Sequence, residues 1–303
     1  MFSLVESMVA LGLTMVLMGS VVPLVSMNAR GSAVAPELLD EQQRARLGAD
    51  AIAWDLMAAG RGLSVSPHAG PLIASFPPVL PRRLGLTGAD PFNVARADAI
   101  TIIAASASQA QSVLLQPVTG PNDVLTLDAT VGCPAGTQVC GLQQGSTALL
   151  FDGAGAFDLI GILGLQGPTA TFQLHQAGNP GLAYAAGAAI AEAEQHTYYF
   201  DAVNRQLRHA DGAHTDVPVV DNVASVAFEY FSEGLTSLPL TAFTDGPWLG
   251  SGGNQFDSDL LRVRLVRVTL RVQAGNPVLR GAHAVPDYTL RFDVAPRNMN
   301  PGK

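Results

Sequence analysis

Positive charge is scarce and almost all of one kind. The 303-residue chain contains a single lysine, Lys303, and its 17 Lys and Arg residues are outnumbered by 25 Asp and Glu, giving a net charge of -8 and a pI near 5.1. Contact with a phosphate backbone calls for clustered positive charge, so this balance excludes a nucleic-acid partner. Cysteine is nearly absent as well: Cys133 and Cys140 are the only two, too few for a cysteine-built zinc site. The chain also lacks a Gly-x-Ser-x-Gly elbow, a His-Glu-x-x-His pair and a phosphate loop ending in Lys, and Gly250 to Gly253 has no strand-to-helix setting for a dinucleotide. Neither an enzyme nor a cofactor site is expected. His209, Asp211, His214 and Asp216 have suitable ligand chemistry, but their Gly-containing setting favours a solvated loop, and Asp257 and Asp259 read as strand-entry residues rather than calcium ligands.

What the sequence does have is concentrated at its start. No Lys or Arg precedes Arg30, and Ser7 to Met27 is an uncharged run long enough as a helix to cross roughly 30 Å of hydrocarbon. Glu6 stands alone at the head of this run. A charge inside lipid costs about 2.5 kcal/mol or more, which makes an isolated acid there a candidate functional group. A secretory signal would have a basic start and an apolar core of about 7 to 15 residues, and this segment has neither.

The order Phe2, Ser3, Leu4, Val5, Glu6, Ser7 resembles the mature N-terminus of type IV pilins and type II secretion pseudopilins, and Pro23 falls where many pilins carry a helix-interrupting proline. The resemblance implies cleavage between Met1 and Phe2 by a prepilin peptidase, methylation of the Phe2 amine, and pairing of Glu6 with that amine on a neighbouring subunit. It also implies a single pass through a bacterial inner membrane, a periplasmic C-terminal body, and later residence in a filament. The implied partners are other minor and major pilins or pseudopilins, the assembly platform and the membrane itself.

Behind the apolar run, Glu37 to Gly60 reads as an amphipathic helix with Leu47, Ala51, Trp54 and Ala58 on its buried stripe. Glu37, Asp40 and Glu41 crowd its first turns and Gly60 marks its end. Pro23 and Pro36 are the expected breaks in the combined rod. Leu63 to Ala97, rich in Pro and Gly, reads as an irregular surface loop, followed by short apolar runs bounded by turn residues that read as strands. Gly181 to Glu194, rich in alanine, fits a short helix or a loop equally well. His196 to Ala202 and Arg205 to Ala210 suggest a hairpin, and Val217 to Phe231 an extended segment interrupted at Asp221 and Asn222.

Along Leu260 to Val272 the apolar parity slips between Leu265 and Val266, the signature of a β-bulge. With a bulge there, Arg262, Arg264, Arg267 and Arg271 share one strand face, either solvated or a partner surface. Asp287 to Val294 supplies a closing strand.

The expected fold is α+β: a long pilin-type helix, apolar over residues 1–28 and amphipathic over 29–62, packed on an antiparallel β-rich body over 63–303. Tyr198 to Asp201, Gln206 to Arg208, Val220 to Val223, Phe228 to Tyr230 and Arg291 to Asn298, in that order, are similar to PilW-type minor pilins, and pseudopilins of the GspJ type share much of the layout. The resemblance implies a minor type IV pilin that joins or primes pilus assembly. A secretion pseudopilin is the alternative, and a membrane-anchored binding module or adhesin a third.

If the body is exported, its compartment is oxidising, and Cys133 and Cys140, six residues apart, form an intraloop disulfide. Non-reducing peptide mapping of protein isolated from the periplasmic face is expected to recover both in one crosslinked fragment; two free thiols would overturn the pairing.

Overall fold

The computed structural model describes residues 3–61, 76–84, 89–105, 111–120, 122–128, 139–152, 157–174, 183–212, 215–249, 255–280 and 285–299. A single helix, α1 (Leu4–Ala58), opens the chain, and strands with short 3-10 turns follow. Ser3 is extended and starts the helix: its hydroxyl accepts from the Glu6 amide at 3.3 Å, and the Glu6 carboxylate accepts from the Ser3 amide at 3.0 Å. Two amides that the first turn would leave without partners are thereby satisfied reciprocally. At the other end Gly60 takes a φ of +70° and donates its amide to the Ile103 carbonyl at 3.0 Å, so the turn that stops the helix also ties it to the body.

Neither Pro23 nor Pro36 ends the helix, since α1 runs as one 55-residue element through both. Each proline removes one backbone donor, but the hydrogen bonds on either side continue, and a helix rich in good formers carries that local deficit. Glu37, Asp40 and Glu41 consequently lie in mid-helix, far from any N-terminal dipole, and need another explanation.

In chain order, β1 (Val79–Leu80), β2 (Ala99–Ala105), β3 (Gln111–Val113), β4 (Leu125–Thr126), β5 (Thr147–Phe151), β6 (Phe157–Gln166), β7 (Thr169–Leu174), β8 (Ala189–Asp201), β9 (Gln206–Asp211) and β10 (Thr215–Asp221) form one antiparallel sheet. Its main path is β1-β2-β8-β5-β6-β7-β4, with β3 also on β8 and β9 bridging β8 to β10. Next come β11 (Val223–Phe231), β12 (Ser237–Leu238), β13 (Trp248–Leu249), β14 (Phe256–Asp257), β15 (Leu265–Val272) and β16 (Tyr288–Val294). Four of these make a second sheet, ordered β12-β11-β15-β16, and β13 pairs with β14. The architecture is thus a long helix joined to an antiparallel β-rich body.

Two cores share β5 and β8. Ala189, Ala191 and Ala193 face the core that also contains α1, while Ile190 faces a second core with Leu150, Ile160 and Phe172. Successive strand residues point to opposite faces, so a strand covered on both sides needs apolar side chains at every position. That is why the alanine-rich stretch, open between helix and loop in sequence, is a strand from Ala189 onward. The hairpin expected beyond it is present, with Asp201 opposite Gln206 and Asp201 capping the Val203 and Asn204 amides. Part of the expected surface loop is instead core: Phe76, Val79, Leu80 and Leu84 are buried, and Phe76 meets Phe157 edge-on at 4.3 Å.

The buried face of α1 is nearly opposite to the stripe anticipated from sequence. Ala45, Gly48, Ala49, Ile52, Leu56 and Ala59 face the sheets, while Leu47 is 58% and Trp54 72% exposed. Small side chains let the helix lie close. A Cβ added at Gly48 would sit 2.6 Å from Val220 Cγ2 and 3.2 Å from Leu270 Cδ2, which places the helix axis where only glycine fits.

Glu41 is fully buried on this same face, and neither carboxylate oxygen has a hydrogen-bond partner. Burial raises its pKa above the ordinary 4.5; nearby Arg44 opposes the rise, while Glu37, Asp287 and Asp40 add to it. Arg44 itself pairs with Asp40 at 2.7 Å and donates to the Asp221 and Gln273 carbonyls. Glu37 caps the Gly275 and Asn276 amides.

Ile52→Ala is expected to cost about 2–5 kcal/mol in denaturant unfolding of the detergent-solubilised protein, and Trp54→Ala within about 0.5 kcal/mol of zero. Gly48→Ala should lose about 1–2 kcal/mol, because overpacking against β-branched Val220 outweighs the ~1 kcal/mol gain in helix propensity. A raised carboxyl pKa in the folded state means stability is lost as pH climbs from the unfolded value through the folded one. Glu41→Gln should therefore stabilise the protein by on the order of 1 kcal/mol at pH 7, with the gain shrinking toward pH 4.5, as melting curves across that window would show.

Candidate functional site

The first third of α1 meets nothing else among the described residues. Leu4 to Val21 has a mean hydropathy of 1.8 and is 0% buried, so this helix is long and apolar enough to cross a membrane. At its head the Glu6 carboxylate is exposed and held by the Ser3 amide. Met1 and Phe2, the expected processing pair, lie outside the described residues, as do Cys133 and the side chain of Cys140. The backbone of Cys140 lies in a 3-10 turn, Val139–Gly141.

A second uncovered strip continues along the helix. Leu39, Leu47, Trp54 and Met57 lie on the side of α1 turned away from the sheets, 66%, 58%, 72% and 43% exposed. From Leu39 to Met57 the strip extends for about 27 Å at 1.5 Å per residue. Sequence reasoning took two of these residues for core because amphipathic periodicity reports a stripe, not which of two apolar stripes is covered.

The expected arginine face is not assembled. Arg262 ends a 3-10 turn, Ser258–Arg262, and pairs with Asp259 at 2.9 Å. Arg264 precedes β15 and donates to the Leu261 and Val263 carbonyls at 2.8 Å. The parity slip read as a bulge at Leu265 and Val266 is the entry of the chain into β15 from that turn. Pairing of β15 with β16 is continuous from Val266 to Val272, and the register shift in its other ladder lies in β11, between Val223 and Ser225. Arg267 and Arg271 do share the outer face, but Asp293 and Asp287 engage them at 2.7 Å each, and Arg267 also covers the Phe231 ring at 4.7 Å. Hydrogen bonding to Arg267 holds the Asp293 carboxyl below its usual range. Arg291 and Glu229 complete a charge-balanced surface at 3.3 Å.

His209 does belong to a cluster, with different partners from those its neighbours in sequence suggest. It lies in β9, half-buried, and its Nε2 is 3.0 Å from His196 Nδ1 on β8. Asp55 Oδ2, reaching down from α1, is 3.7 Å from the His196 nitrogen and 3.9 Å from that of His209. Tyr198, directly opposite His209 in the ladder, stacks on its ring at 4.7 Å and donates its hydroxyl to Asp55 Oδ2 at 2.6 Å. Burial lowers the His209 pKa, with His196 adding to the effect and Asp55 opposing it. Asp216, expected beside His209, pairs with Ala210 and so faces the other side of the sheet, where it holds Arg208 and Tyr199. His214 lies outside the described residues. His196 and Asp55 were missed because 141 residues separate them in sequence and neither lies in a recognisable ligand spacing.

Asp257 and Asp259 approach Asp245 within 4.8 Å, but Asp257 already accepts the Gly246 and Asp259 amides and caps the turn that follows it.

The chain matches no protein-family model, and no curated relative is found.

Replacing Ser3 with Ala removes half of the capping box. Hydrogen exchange in micelles should then show the Glu6 amide exchanging several-fold to about thirtyfold faster, the equivalent of about 0.5–2 kcal/mol, with amides beyond residue 12 unchanged.

Proposed function

We propose that this chain is a membrane-anchored filament subunit of the minor type IV pilin kind, held in the bacterial inner membrane with its β body in the periplasm and drawn into a pilus by its N-terminal helix. One observation carries the reading: α1 offers uncovered apolar surface in two stretches, Leu4 to Val21 and Leu39 to Met57. Eleven large apolar side chains between Leu4 and Val21 are exposed. Leaving them in water would cost on the order of 20 kcal/mol, more than the net stability of an ordinary domain, so this segment needs lipid or protein around it. A membrane anchor alone requires only that stretch. The strip from Leu39 to Met57 lies beyond it, on the part of the helix that packs on the body, and a subunit packed among equivalent helices would cover both.

Glu6 supplies direction. Leaving lipid for a bundle of apolar helices is nearly neutral in apolar contact, so a polar pairing selects the register. Its carboxylate, anchored by the Ser3 amide, is turned toward the end of the helix where a neighbour's N-terminal amine would arrive. A charge pair in a low-dielectric core is strongly destabilising when half-made, which makes docking close to all-or-none. The order of motifs through the C-terminal half is what favours the pilus over a secretion filament.

Glu6→Ala and Trp54→Glu, expressed in cells that assemble filaments, are expected to leave the body's melting temperature unchanged and to remove the protein from the sheared filament fraction. Incorporation of both variants at the normal level would defeat this reading and leave a simple anchored module.

A further inference from the structure

We propose that Asp55, His196 and His209 form a binding site for a divalent transition ion, Zn2+ by ligand chemistry, that clips the end of α1 to the β8–β9 hairpin. Three ligand atoms converge from three elements: Asp55 Oδ2 from the helix, His196 Nδ1 from β8 and His209 Nε2 from β9. Their separations are 3.0, 3.7 and 3.9 Å. The circle through the three atoms has a radius of about 2.1 Å, so an ion about 0.7 Å off their plane lies about 2.2 Å from each, at the long end of the range of about 2.0–2.2 Å for Zn–N and Zn–O bonds. The triangle therefore already has the dimensions of three corners of a tetrahedral site, and water completes the fourth.

The surroundings suit such an ion. Two imidazoles and a carboxylate select borderline metals over Ca2+ or Mg2+, which prefer oxygen. The three side chains retain 14–20% exposure, enough for an ion to enter and too little for a solvated surface cluster. Tyr198 fixes both ends of the constellation, donating to the Asp55 oxygen and lying against the His209 ring. Outer contacts of this type orient ligands at metal centres. Without metal, one imidazole nitrogen donates to the other across 3.0 Å. Loading replaces that hydrogen bond, and the donor ring moves its proton to its far nitrogen so that both near nitrogens present lone pairs.

A bound ion would join residues 55, 196 and 209 across the seam between helix and sheet. Because the site exists only in the folded chain, binding adds to stability by mass action. Neither the membrane nor a filament partner is involved, so the site stands or falls apart from the assembly reading.

The test uses full-length protein in detergent, stripped with EDTA and titrated first with Co2+ as a spectroscopic probe and then with Zn2+. One ion per chain is expected, with the visible absorption of a four-coordinate nitrogen and oxygen site that Zn2+ then abolishes. Zn2+ at about a hundredfold over its Kd should raise the melting temperature by roughly 5 °C. Asp55→Asn keeps side-chain volume and an acceptor for Tyr198, and His209→Gln keeps a polar group in the hairpin; each should weaken binding at least about tenfold and lose the Co2+ band. Should His209→Gln fail to fold, Asp55→Asn and His196→Gln decide the matter. The assignment is overturned if the parent protein gives no Co2+ band, or if folded Asp55→Asn binds Zn2+ as tightly as the parent.

Discussion

Everything else in the molecule is arranged around the close approach of α1 to the body at Gly48. A side chain as small as alanine would collide there with Val220 and Leu270, so the helix axis lies nearer to the sheets than a larger residue would permit. Close approach brings Ile52 and Leu56 into the main core and places Glu41 fully buried, where no donor among the described residues reaches its carboxylate. It also brings Asp55 within reach of two histidines on the hairpin. The same contact thus produces the body's main apolar cluster, a buried carboxyl group whose pKa is pushed up by burial and a converging set of metal-ligand side chains.

The helix has two unlike halves that remain one rod. Along Leu4 to Val21 the helix is apolar and uncovered by the described residues; along its later part, one side is consumed by the body and the opposite side keeps Leu39, Leu47, Trp54 and Met57 in the open. The outer face of β15 and β16 shows a different logic. Its arginines and acids neutralise one another pairwise, as expected of a surface meant to remain in water. Among the described residues most exposed large apolar side chains lie on α1, and it is there that association would be driven.

Legibility in the sequence followed the strength of the local pattern. The apolar run, the isolated Glu6 and the glycine stop at Gly60 were readable because each has a short-range cause. Most strands were readable as well, and the hairpin around Val203 and Asn204 was correctly placed. The reading failed where tertiary contact chose between equal options. Trp54 went to the wrong side because α1 has two apolar stripes and the body selected the one with small residues. Ala189 to Ala193 could not be identified because a strand buried on both faces has no polar alternation. A turn entering β15 imitated a bulge, which extended the face of Arg267 and Arg271 to Arg262 and Arg264, residues that precede the strand. The Asp55, His196 and His209 cluster left no trace in sequence spacing, since its members meet only after the helix and hairpin are packed.

The fastening of α1 also has a mechanical meaning. Glu37 holds the Gly275 and Asn276 amides, Arg44 grips the Asp221 and Gln273 carbonyls, Ile52 and Leu56 are embedded in the core, and Asn298 donates to the Ala59 carbonyl at the far end. These attachments are spread along roughly 30 Å of the rod and act across its axis. A pull on the N-terminus along that axis loads them together, in shear, rather than peeling them off one after another. The joint is therefore strongest in the direction in which a helix embedded at its other end would transmit tension, and weakest against a sideways lever.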